Sequence, residues 1–199
     1  MSIEKEFQTV DLVADAGAVT SSVDAFALSV IKAERQIRRL FTHIVFQCPA
    51  FGPGDVSDLR NALWERRQCY FEGFVRGIDG LLPVPLDQLI GVPYHQLRLG
   101  IDNALLVRNK LFHGQLTDQS LCGVSLLEHV GNVRGWCQAV ADAGIQAVGY
   151  DGFQRNSFRK GEPEVYRTFQ RTVPNLEEYG RFLDHWVVRR QGWQPPAGW

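Results

Sequence analysis

The residues best suited to chemistry lie together in Val107-Arg108-Asn109-Lys110-Leu111-Phe112-His113-Gly114. Stepping by four and three from Leu97 through Ile101 and Ala104 reaches Arg108 and then Leu111, so an arginine occupies the middle of an apolar helical stripe. A guanidinium turned toward a helix interface must find an anion or a partner's polar groups, because an unpaired buried charge is strongly destabilising. Asn109 and His113 are four apart and share a helix face beside that stripe, which brings an amide and an imidazole within reach of each other. An imidazole that moves protons and a guanidinium that holds phosphate suffice to turn an RNA 2′-hydroxyl on its neighbouring phosphate without a metal. Glu34 adjoins the apolar position Ala33 on another helix. It is placed either to orient Arg108 or His113, or to pair on the surface with Arg38 four residues on.

The run Arg108-Asn109-x-x-x-His113 resembles the R-x(4–6)-H motif of HEPN domains, all-helical proteins that often act as metal-independent ribonucleases and toxins. The resemblance covers about residues 22–143. It implies that Arg108 binds phosphate, Asn109 supports it and His113 transfers protons, with RNA as substrate. It also implies a homodimer, because in that family two protomers bring their motifs together in one composite site. The expected products are a 2′,3′-cyclic phosphate and a 5′-hydroxyl. A bacterial toxin or antiviral setting, with an antitoxin or regulatory protein as a further partner, follows from the family alone. In HEPN toxins controlled by nucleotide addition, a tyrosine stands two residues beyond the motif histidine. Gln115 stands there in this chain, so control of another kind is expected. A non-catalytic helical dimer that binds RNA or a protein partner is the alternative reading of the same residues.

The 21 Lys and Arg nearly cancel the 22 Asp and Glu, and the net charge of -1 gives no global attraction to a polyanion. RNA must therefore be met by a local patch. Arg35, Arg38 and Arg39 on one helix and Lys110 beside the motif are the candidate RNA contacts, and Arg60, Arg66 and Arg67 make a second helix basic. Solvated helix faces are the plainer explanation of such charge. His43, His95, His129 and His185 fall in no metal-ligand spacing, and nothing resembles a P-loop, a dinucleotide-binding turn or a nucleophile elbow, so neither metal nor cofactor is expected. The four cysteines are widely separated and read as free thiols. No apolar run approaches the ~20 residues that span a bilayer, and the N-terminus lacks a secretory pattern, so a cytoplasmic protein without a membrane partner is expected.

With 199 residues, 45% of them hydrophobic, the chain can bury a sizeable core. Apolar residues from Val23 to Ile44 step by three and four, predicting a helix over about 22–47. Similar stripes predict helices over about 55–79, from about Leu97 to the natural C-cap Gly114, and over about 121–143. The fold class is thus all-α, a helical bundle over residues 1–143, and the resemblance implies a four- to five-helix bundle of the HEPN type. Residues 144–199 form a less regular extension packing on it. That extension is expected to hold a loop, a short strand near Val165–Phe169, and a final helix capped by Asn175 with Glu178. Trp64, Trp136 and Trp186 sit at helical spacing and read as core.

Overall fold

The computed structural model describes residues 3–113, 123–154 and 156–188. The expected Gly114 cap, Gln115, Cys122 and the Pro-rich tail lie outside them. Among the described residues every regular element is helical, and there is no strand beyond a single antiparallel bridge between Cys69 and Val188. The α-helices are α1 Ile3–Ala14, α2 Ser21–Gln47, α3 Val56–Trp64, α4 Phe71–Leu81, α5 Leu86–Ile90, α6 Tyr94–Phe112, α7 Gly123–Val148 and α8 Leu176–Phe182. A single π-helical turn, Leu183–Val187, follows α8 directly.

The central element is α2, whose Ala25, Phe26, Val30, Ala33, Ile37, Leu40, Phe41 and Ile44 are all buried. It runs parallel to α7, since Ser22 meets Gly123, Phe26 meets His129, Gln36 meets the Cys137 carbonyl and Leu40 meets Gly144 in the same order along both helices. α6 returns antiparallel to α7, with Leu97 against Gly135 and Gly100 against Asn132. α1 lies across both α2 and α7 through the Lys32–Glu6 and Arg134–Asp11 ion pairs, its Phe7 beneath the Arg134 guanidinium. The core is one continuous cluster that includes Tyr150, Phe153, Phe169, Val173 and Leu183 beside Ile37, Leu40 and Trp136.

A polar seam explains how the irregular segment after α7 is fixed. Gln36, Arg39, His43 and Gln47 recur every three or four residues along α2, on one helical face. Gln36, fully buried, donates to the carbonyls of Cys137 and Asp151 at 2.9 and 3.0 Å. Arg39 donates to the Phe153 carbonyl at 2.8 Å, His43 Nδ1 lies 3.1 Å from that of Ser157, and Gln47 donates to that of Arg159 at 3.1 Å. Lys160 then caps the last carbonyls of α2, those of Phe46 and Cys48. Buried backbone groups of a loop must find partners, and here α2 side chains supply them.

Several expectations are corrected. The helix predicted over 55–79 is two, α3 and α4, because Arg66 turns to form a two-pronged ion pair with Asp184 and Cys69 pairs with Val188. These long-range bonds pull residues 65–70 out of helical register. α4 runs past 79 to Leu81, and α7 continues past 143 to Val148. The segment expected as a strand near Val165–Phe169 is a 3₁₀ turn, Val165–Thr168. The final helix does begin at Asn175, whose Oδ1 accepts from the Glu178 N–H at 2.8 Å. Trp136 and Trp186 are buried, but Trp64 is 82% exposed.

Candidate functional site

The inner stripe of α6 is Leu97, Ile101, Ala104, Arg108 and Leu111, with Ile101 and Ala104 fully buried. Its fourth position places the Arg108 guanidinium against α2, where Nη2 donates to Glu34 Oε1. The arginine side chain is 24% exposed and the carboxylate 37%, so the pair sits at the edge of the bundle rather than in its core. Arg108 Nε is buried with no acceptor among the described residues. Burial pushes the Glu34 carboxyl above its ordinary range, and the Arg108 charge opposes that rise. The charge requirement of an arginine on an apolar stripe is thus met within the chain.

Beyond Arg108 the helix ends in polar, open surroundings. Asn109, Lys110, Phe112 and His113 are exposed, and the His113 N–H closes the last turn on the Asn109 carbonyl at 3.0 Å. Five residues at 3.6 per turn put Arg108 and His113 about 140° apart around the helix. The chain therefore turns the Arg108 guanidinium inward to Glu34 and the His113 imidazole outward to solvent. The outward face carries Leu99 and Leu106, 66% and 59% exposed, at the heptad spacing that continues to His113.

Of the candidate RNA contacts, Arg35 and Arg38 are exposed on α2, with Arg38 one helical turn beyond Glu34, and Lys110 is exposed on α6. Arg39 is half-buried and engaged with Phe153 and the Tyr150 ring. Arg38 and Arg39 line a hollow of about 430 Å³ with Arg60 and Trp64, a grouping that sequence reasoning missed because it placed the indole in the core. The available signal was local: Leu59 and Leu63 carry the buried stripe of α3, and Trp64 stands one position past it, followed by Glu65-Arg66-Arg67. Among the described residues no group of three or more His, Cys, Asp or Glu is placed to hold a metal ion, and no helix is long and apolar enough to cross a membrane. Cys48, Cys69 and Cys137 are free thiols.

Compared with protein-family models, curated proteins and solved structures, the chain matches none of them.

Proposed function

We propose that this protein is a metal-independent endoribonuclease of the HEPN type, acting as a homodimer in a bacterial toxin or antiviral setting. The observation that carries the reading is the Arg108–Glu34 pair: a guanidinium on the inner stripe of α6, held by a carboxylate from α2 a few residues before an exposed histidine. Arg108 holds the scissile phosphate, and Glu34 is a positioning residue that fixes the guanidinium. His113 takes the 2′-hydroxyl proton, the 2′-oxygen bonds to phosphorus, and the bond to the 5′-oxygen breaks as a second His113 from the partner protomer protonates that oxygen. Asn109 supports the phosphate. A dimer across the outward face of α6 covers Leu99 and Leu106 and brings two copies of His113 together, with each Arg108 reaching the shared strand from the inner edge of its own helix. An antitoxin or regulatory protein is a further proposed partner.

The divergence of Arg108 and His113 within one protomer favours a second reading, a non-catalytic dimer that binds RNA. Incubating purified protein with single-stranded RNA in the presence of a chelator separates the two. The nuclease gives fragments with 2′,3′-cyclic phosphate and 5′-hydroxyl ends, and His113→Ala abolishes cutting while leaving the fold intact. Fragments with 3′-hydroxyl ends, strict dependence on magnesium, or undiminished cutting by His113→Ala overturn the mechanism.

A further inference from the structure

Two hollows flank the side chain of Trp64, about 430 and 440 Å³ in volume, and they share Arg38, Leu63 and Trp64 as their common wall. The first adds Arg39, Arg60 and Phe158, and the second Arg66 and Arg67. Five arginines therefore converge on one tryptophan, and among the described residues neither hollow is lined by a carboxylate. In a chain whose charges sum to -1, the charged side chains of these linings are all positive, and of them Arg66 is balanced by Asp184.

The arginines divide by what already holds them. Arg66 is bound to Asp184 and Arg39 to the Phe153 carbonyl, so these two serve the fold. Arg38, Arg60 and Arg67 are exposed and carry no ion pair among the described residues. The Arg60 guanidinium lies over the Phe158 ring at 4.9 Å and that of Arg38 beside the Phe74 ring at 6.0 Å. A ring behind a guanidinium fixes its plane and leaves its N–H edge for an incoming anion. The indole between them is 82% exposed and contributes nothing to the core. An exposed indole beside cations that lack ion pairs is the composition of a single-strand stacking surface.

We propose that this groove binds single-stranded RNA, with a base stacked on Trp64 and the flanking phosphates on Arg38, Arg60 and Arg67. An acidic protein would use the cations but has no need of an open indole, whereas every nucleobase presents a face that stacks on one. A duplex keeps its bases stacked on each other and withholds that face. The groove's Arg38 follows Glu34 by one turn of α2. The inference deepens the nuclease reading by placing the substrate strand, and it rests on that reading for RNA in preference to single-stranded DNA.

The test measures binding of a fluorescein-labelled 2′-O-methyl oligouridine dodecamer, which lacks the attacking hydroxyl and cannot be cut, by anisotropy over a salt series. Trp64→Ala is expected to weaken binding about tenfold, with Trp64→Phe recovering most of the loss. Arg38→Ala and Arg67→Ala each weaken it and flatten the slope of log K against log salt by about 0.7. Arg167→Ala, a charge-matched exposed control already paired with Glu164, leaves binding unchanged. Because Trp64 is exposed, its variants should melt with the parent protein. Unchanged affinity in Trp64→Ala and Arg38→Ala overturns the proposal, as does equal competition by poly-glutamate, which assigns the surface to an acidic protein. Cutting assays with His113→Ala read the nuclease separately: binding losses without any cutting sink the nuclease and keep the groove, and cutting with unchanged binding does the reverse.

Discussion

Glu34 governs what Arg108 can do. Each is partly exposed, so solvent screens their attraction, and the pair should contribute about 1 kcal/mol rather than the larger value of a fully buried bridge. A double-mutant cycle with Glu34→Gln and Arg108→Ala should give a coupling energy of that size, measured by urea denaturation; additive losses would mean that the contact carries no energy. If the proposed nuclease reading holds, Arg108→Lys should cut RNA poorly although it keeps the charge, because an ammonium cannot hold the carboxylate and reach phosphate with a planar fork. This pairing was one of the alternatives the sequence offered, because Arg108 sits on the α6 stripe and Glu34 adjoins the α2 stripe at Ala33; only the packed helices choose Arg108 over His113 or Arg38 as the partner of Glu34. The exposure of Trp64 was not legible. A helix read as continuous from 55 to 79 carries the indole onto a wider apolar face, whereas the real α3 stops at Trp64 itself. The break is set by Arg66–Asp184 and Cys69–Val188, contacts too distant in sequence for any local pattern to report.

At the scale of elements, α4 shows how small residues set a fold. Gly73, Gly77 and Gly80 form a trough along one face, into which the π-helical turn is pressed. A Cβ on Gly73 would lie 1.9 Å from the Val187 carbonyl oxygen, and one on Gly80 would lie 2.9 Å from the Trp186 ring. Gly73→Ala must displace backbone and should destabilise the protein by about 3 kcal/mol. Gly131 in α7 meets nothing within 4 Å, so Gly131→Ala should stabilise it by roughly 0.5–1 kcal/mol through lost freedom of the unfolded chain. Thermal melts of the two alanine variants should move in opposite directions. The long helices α2, α6 and α7 were legible from their period alone. α5, with five residues, is shorter than any window in which a period can be recognised, and the 3₁₀ turn at Val165–Thr168 has no periodic face at all. α1 does carry a readable stripe in Ile3, Phe7 and Val10, but only three positions long.

Across the whole molecule, stability should vary with pH through Asp79. Burial pushes its carboxyl up to about 6, although Oδ1 accepts the Leu86 N–H at 2.8 Å. Since the folded value exceeds the unfolded one of 3.8, folding favours the protonated form, and stability falls as pH rises from about 4 to about 6. Relative to Asp79→Asn, the parent protein should lose on the order of 2 kcal/mol across that window, and equal pH profiles for the two would exclude the effect. The proposed assembly is tested on the outward face of α6: Leu106→Glu should convert a dimer into a monomer in sedimentation while the helical circular dichroism is retained, because the leucine is already 59% exposed within the chain. The trough on α4 has a consequence for how the chain is made. Its cover comes from a distant part of the sequence, and the neighbouring Arg66–Asp184 bond joins residues 118 positions apart. At ~5–20 residues per second, a ribosome needs roughly 10 s between releasing α4 and releasing the segment that closes over it. During that interval the nascent protein carries an open apolar furrow, so a message cut short before Asp184 should yield a chain that the cell's proteases remove rather than a smaller working protein.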